Sequence, residues 1–345
     1  MRKTVAAAVC LTLSVNLYLM SVCESYWRLV PLVVLAIATL SLGCQPPAQK
    51  AQADNATPTA HTGIQGALLA SRFQSLEELK AVVDIAYATD TTLSDSAAME
   101  SSTVTLTHVS NGYMVTSTLE SGMSQADFKA ARDGDFWDQA AVGFGSPYGV
   151  RNRKDLNRIS ILSRRMRLEF GVGDVAFFDL AELAVRHINT RELAFQQPRD
   201  KGEKGYLNSF NHITAQAFIT TIFSEELADF IADVHERYNM PELTTGRFQP
   251  EQLTNPDNNP VDNYVDLINN EWGQELGKKL AEKHHIDRYT HWTPELLASY
   301  LNELQQYYSW AFGIGFKPCR ATDPVIIRFA DKINFVMQEE PIALK

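Results

Sequence analysis

The sequence predicts a mainly α protein: a helical C-terminal domain behind a small α+β N-terminal part that contains one β-hairpin. Two observations predict it. After residue 150, apolar residues recur every three or four positions in one segment after another, as the buried stripes of amphipathic helices do. Before it, a single strong two-residue turn signal, Asn111-Gly112, separates two stretches of alternating strand formers. Size and composition agree: 345 residues, 45% hydrophobic and 21% charged, can bury a large core, which excludes a disordered or collagen-like chain. A net charge of −10 argues against nucleic acid as a partner, because phosphate binding is driven by Lys and Arg releasing counterions. Four cysteines with no CxxC pair exclude a disulfide-dense scaffold.

Residues 1–43 read as an export segment and not as part of the fold. Two apolar runs, Val5–Met20 and Leu29–Gly43, flank the polar patch Cys23–Arg28. The second has the length of a signal-peptide core and is short for a span of about 20 residues. It ends in Leu40-Ser41-Leu42-Gly43-Cys44, which resembles the bacterial lipobox, although Ser41 stands where that motif usually has Leu. The resemblance implies a lipid on Cys44 as the membrane attachment, a cell-envelope location and, because Gln45 is not Asp, the outer membrane facing the periplasm. The competing reading is an uncleaved membrane anchor. Met20 precedes a short segment containing Arg28, as a translation start would, which makes 1–19 an upstream extension. Residues 44–62, polar and rich in Ala and Pro, read as a tether. Loss of 1–43 removes Arg2, Lys3, Arg28 and Glu24 and moves the net charge from −10 to −12. It also removes Cys10 and Cys23, leaving Cys319 as a buried or an intermolecular thiol.

The α+β part is assigned to 63–150 and the helical domain to 151–345. Ser75–Ala86 reads as a helix with a Ser N-cap and acids in its first turn. Thr103–Leu119 reads as the hairpin, with Ser110 opposite Tyr113, an inner face of Val104, Leu106, Tyr113, Val115 and Leu119, and an outer face of threonine. A lone hairpin is marginal in water, so helices or a third strand should cover it. Ser124–Arg132 looks helical and Val142–Val150 reads as a glycine-rich connector without phosphate-cradle spacing. Asp155–Phe170 and Asp174–Gln196 follow as core helices. Arg164, Arg165 and Arg167 form a small basic patch expected to pair with surplus acids. Asp257–Asn263 has calcium-like oxygen content but lacks the glycine and terminal glutamate of an EF-hand loop, and reads as a solvated turn.

Three consecutive helices carry polar residues where a plain core would carry aliphatic ones. On the first, near Leu207–Phe223, the apolar stripe steps back onto His212 and Asn208. On the second, Ser224–Tyr238, His235 follows the stripe and Glu236 lies one step round the helix. On the third, beyond the breaker-rich loop 255–260, Asp266, Asn270, Gly273 and Gly277 align beside the main stripe, and Asn269 lies between the two. Glycine inside a helix costs about 1 kcal/mol relative to alanine, so two on one face imply close approach of a backbone or a ligand.

Asn208-Ser-Phe-Asn-His212, His235-Glu236 and Asp266-Leu-Ile-Asn269-Asn270-Glu-Trp-Gly273 resemble an uncharacterised bacterial helical domain family with N-x-F-x-H, H-E and D-L-x-N-N-x-x-G motifs. The resemblance covers 202–280 and implies only that these residues converge. Three chemistries fit such a cluster. In the first, His212, His235 and Asp266 bind a divalent metal such as Zn²⁺, with Glu236 and His235 as catalytic groups and Glu236 as the base for bound water. In the second, a carboxylate orients a histidine for metal-free acid–base work. In the third, Asn208, Asn269, Asn270 and both histidines form a satisfied structural network. The functional expectation is a lipid-anchored envelope protein with a metal-dependent, hydrolase-like domain. The alternative is a non-catalytic envelope lipoprotein that binds an envelope protein partner.

Overall fold

A computed structural model describes residues 66–89, 102–134, 136–202, 204–240, 242–245 and 260–338. The leader, Cys44, the tether and residues 246–259 lie outside the described residues. The fold is mainly α, with one small antiparallel sheet in its N-terminal part.

Helix α1, Leu76–Lys80, opens on Ser75, whose Oγ accepts from Glu78 N at 3.3 Å. It stops six residues short of the expected end, and Val83–Thr89 forms strand β1 instead. The apolar positions of this segment suit either period, and pairing decides: β1 lies antiparallel to β2, Ser102–Ser110, with Val83 opposite His108. Strand β2 turns into β3, Tyr113–Glu120, through Asn111 (φ 49°) and Gly112 (φ 79°), the two left-handed residues a type I′ turn needs. Ser110 stands opposite Tyr113, as the alternation requires. The inner face buries Val104, Leu106, Val115 and Leu119, while Tyr113 at the tip is exposed.

Helices α2, Gln125–Asp133, and α3, Phe136–Gly145, follow. The expected glycine-rich connector is therefore helical through residue 145, and Pro147 starts another short turn, Pro147–Arg151. Helix α4, Arg153–Ser163, ends where the backbone of Arg164 turns extended, and Ser163 Oγ donates back to the carbonyls of Ile159 and Ser160 at 2.8 and 3.1 Å. Only the short turn Arg167–Phe170 resumes beyond it. Helix α5, Phe177–His187, is likewise shorter than expected, since Ile188 forms a β-bridge with Phe316. The large helices are α6, Tyr206–Ile222; α7, Glu225–Asn239; α8, Val261–His284; α9, Pro294–Phe312; and α10, Pro324–Gln338. Among the described residues, no helix is long and apolar enough to cross a membrane.

Two cores result. The larger joins α4, α5, α6, α9 and α10 around Phe177, Phe210, Phe218, Tyr308 and Phe329. The smaller holds the inner face of the sheet and α1 against Tyr264, Val265, Ile268 and Trp272 of α8. Helix α8 thus gives one stripe to the sheet and another to α6.

The α6–α8 contact is a parallel, in-register pair. Asn208 meets Asp266, His212 meets Asn270 and Gln216 meets Gln274, each pair 58 residues apart in sequence. Beside these polar rungs lie the two glycines. A Cβ at Gly273 would stand 2.8 Å from the carbonyl oxygen of Ile213, and one at Gly277 only 2.6 Å from that of Ala217. Both obstacles are backbone, so relief requires the helices to part. Gly277→Ala should therefore destabilise the fold by about 1–2 kcal/mol, since overpacking costs roughly 1–3 kcal/mol and the gain in helix propensity is only about 1. Denaturant unfolding of the variant measures this; a rise in stability would mean that the helices do not meet this closely.

Candidate metal centre

The site forms where the first turns of α6 and α8 meet the last turn of α7. Helix geometry stacks Asn208 over His212, and Asp266 over Asn270, one turn apart on facing surfaces. Asn208 Nδ2 donates to both oxygens of Asp266, at 3.0 and 3.1 Å. His212 Nδ1 lies 2.9 Å from Asn270 Oδ1, and His212 Nε2 lies 3.3 Å from Asp266 Oδ2. An amide oxygen can only accept, so Nδ1 carries the imidazole proton and Nε2 turns a lone pair toward the carboxylate. Two electron-rich atoms at that distance need a proton or a cation between them.

Glu236 is the deepest member. Only 1% of it is exposed, and neither carboxylate oxygen has a hydrogen-bond partner among the described residues. The side chains of His212 and Asp266, at 14% and 9%, are closer to the surface. One ligand atom each from His212, Glu236 and Asp266 lies within 4.8 Å of the others, so the three could hold a metal ion. Ligands at about 2.0–2.2 Å from a single tetrahedral ion stand roughly 3.5 Å apart, so binding would draw these side chains together.

His235 sits at the edge of this group, its ring centroid 6.3 Å from that of His212. Its Nδ1 lies 3.1 Å from Gln125 Oε1 of α2, which fixes the same tautomer as in His212 and leaves Nε2 unprotonated. Both imidazoles are therefore oriented by an amide oxygen through Nδ1, the outer support that metal-binding histidines commonly receive. The sequence assigned His235 to the ligands and Glu236 to the base; the side chains gather Glu236 with His212 and Asp266 and leave His235 outside the group. Asn269 does other work: its Oδ1 accepts from Leu68 N at 2.8 Å and its Nδ2 donates to Leu68 O at 2.9 Å, splinting the N-terminal segment to α8.

Electrostatics agree with a cation-seeking site. Burial raises Asp266 to about 7, opposed by the Asn208 amide and the charge of Lys204. Burial, then the charges of Asp266, Asp262 and Asp233, raise Glu236 well above the usual carboxylate range. Burial lowers His235 to about 3 and also lowers His212. Near neutral pH the site thus holds neutral imidazoles, a Glu236 that burial keeps protonated and an Asp266 that is partly so.

Sequence reasoning missed Gln125, which is 110 residues from its partner. It also placed Glu236 off the buried stripe, although Ala228, Ala232 and Glu236 fall at four-residue steps and all three are buried. Elsewhere, Cys319 is a free, buried thiol with Sγ 3.7 Å from His187 Nδ1, and burial pushes it up to about 12, far from a reactive thiolate.

No family model, no curated protein and no solved structure matches the chain.

Proposed function

We propose that His212, Asp266 and Glu236 bind one divalent metal ion, with His235 poised beside it, and that the domain is a metal-dependent hydrolase of the cell envelope. The observation that carries this reading is Glu236, a carboxylate 1% exposed with neither oxygen hydrogen-bonded among the described residues. A structural carboxyl group this deep would be hydrogen-bonded or ion-paired, because a buried polar group left without a partner costs about 1–3 kcal/mol even when it keeps its proton. A cation supplies what the protein withholds. The one-imidazole, two-carboxylate set suits Zn²⁺, Mn²⁺ or Fe²⁺.

Held by His212, Asp266 and Glu236, an ion of this kind would acidify a nearby water, lowering its pKa to about 7. The residues around it have separate tasks. Asn208 holds both oxygens of Asp266, and Asn270 keeps His212 in the tautomer that offers Nε2. Gln125 does the same for His235, which burial keeps neutral beside the group.

Turnover of ester, peptide and cell-wall glycan substrates by the metal-loaded full chain tests the reading. Loss of activity on chelation and in Glu236→Gln is the expected result. A loaded protein that turns over none of them would favour a non-catalytic envelope module in which the ion fixes the packing.

For the location, we propose that a lipid on Cys44 holds the chain at the outer membrane, facing the periplasm, on the strength of the apolar run that ends in Leu42-Gly43-Cys44. Cys44→Ser should move the protein from the membrane to the soluble fraction of cells. Unchanged retention would leave the apolar segments themselves as the anchor.

A further inference from the structure

A groove of about 610 Å³ opens between the Arg167–Phe170 turn and α10, lined by Phe170, Val172, Gly173, Arg328, Lys332 and Phe335. Its floor is already satisfied. Lys332 Nζ bonds Asp174 Oδ2 at 2.7 Å and the carbonyls of Arg164 and Val175 at 2.7 and 2.9 Å, so it has no donor left for a ligand. The rim is different. Leu168 is 97% exposed and Val172 88% exposed, and Ile327 and Phe335 are exposed on the adjoining face of α10. Single exposed aliphatics are ordinary; two almost bare ones on one turn, beside further apolar side chains, mark a surface that contacts something apolar.

The charges on this rim indicate what that is. Arg165 is held by Asp179, but Arg167 and Arg328 are exposed and neither forms an ion pair among the described residues. The guanidinium of Arg328 lies over Gly173, where any Cβ would collide with it, so it is kept at the mouth of the groove. Glu169 and Asp331 share the rim, which makes its net charge small. Long-range attraction is therefore weak, and recognition rests on short-range contacts: aliphatic side chains buried in acyl chain and guanidinium groups bonded to phosphate.

We propose that the Arg164–Gly173 segment and the outer face of α10 form a membrane-contact surface, with Leu168 and Val172 entering a phospholipid bilayer and Arg167 and Arg328 on its phosphates. The pairing of bare aliphatic side chains with guanidinium groups that form no ion pair among the described residues matches the acyl chains and phosphates of a bilayer. The surface does not depend on the anchor proposed at Cys44, although an anchored chain would always have a bilayer within reach.

The test places a fluorophore where insertion is expected. Full-chain Val172→Trp, prepared with and without Cys44→Ser, is mixed with vesicles of phosphatidylethanolamine and phosphatidylglycerol whose acyl chains carry bromine. Emission added by the new tryptophan should shift to the blue and be quenched in both backgrounds, and adding Leu168→Asp should abolish the quenching. Quenching no greater than that of the parent chain overturns the membrane-contact surface whatever becomes of the anchor. Quenching that survives Leu168→Asp overturns it too, because insertion would not then run through this turn. Release of Cys44→Ser protein from membranes, read separately, bears only on the lipid.

Discussion

Adding Zn²⁺ or Mn²⁺ to chelator-stripped full-length protein will raise its unfolding temperature, and His212→Ala and Asp266→Ala will each abolish the rise. The expected size follows from mass action. An ion present at a thousandfold over its dissociation constant stabilises the native state by about 4 kcal/mol, which moves the midpoint of a large domain by several degrees. Truncating either residue removes a ligand from a group whose ligand atoms lie within 4.8 Å of one another. It also breaks a rung of the α6–α8 ladder, so both variants should be less stable even without metal. The discriminating quantity is therefore the metal-dependent increment. If the increment is absent from the wild type, or survives intact in both variants, these side chains do not bind the ion. Asn208→Ala refines the comparison: it leaves all three ligands in place but frees Asp266 from the amide that holds both its oxygens, so the increment should shrink without vanishing.

How much of this could be read from the residues alone depends on how local the deciding interaction is. The spans of α6, α7 and α8 follow from their own periodicity. The polar stripe of Asp266, Asn270, Gly273 and Gly277 identifies a face pressed against another backbone, which is α6. The hairpin follows from Asn111 and Gly112 because no other pair suits two consecutive left-handed residues so well. Strand β1 could not be read this way. Its segment carries apolar residues at spacings that fit a helix, and only the partner strand, 19 residues further on, makes the extended form the better one. Helix α5 shows the same thing at its end, where the bridge from Ile188 to Phe316 overrides a helical pattern that continues in sequence.

The metal centre divides along the same line. That polar residues from three helices converge is visible in their phase on each helix. Which of them comes deepest is not, because one position on α7 separates His235 from Glu236 and the rotation of that helix is set by its neighbours. Ala228 and Ala232 permit close packing on the Glu236 side, whereas His235 is drawn to Gln125. Tertiary context thus brings Glu236, and not its neighbour His235, into the group with His212 and Asp266.

The sharpest consequence concerns that deepest carboxylate. Without metal, Glu236→Gln should make the protein more stable at pH 8, by about 1 kcal/mol or more, while removing its ability to bind the ion. The sign follows from linkage. Glu236 holds its proton in the folded state well above the pH at which it loses it in the unfolded chain. As pH rises past the ordinary carboxylate value, the unfolded state releases that proton and the native state does not, so stability falls. Glutamine has no proton to hold and escapes the loss. Below about pH 4 both states of the wild type are protonated, and the two proteins should converge. Neighbouring groups make the wild-type profile alone hard to interpret. Asp266, raised to about 7, adds a fall in stability between about pH 4 and 7, while His235, lowered to about 3, adds a rise between about pH 3 and 6.5. The difference between Gln and Glu cancels most of both. A carboxylate kept for structural reasons gives the opposite result, since replacing it would break bonds that it makes; among the described residues Glu236 makes none through either oxygen. Chemical denaturation of both metal-free proteins from pH 4 to 8 decides the matter, and a Gln variant less stable than wild type at pH 8 would show that Glu236 earns its place in the fold and not at a metal.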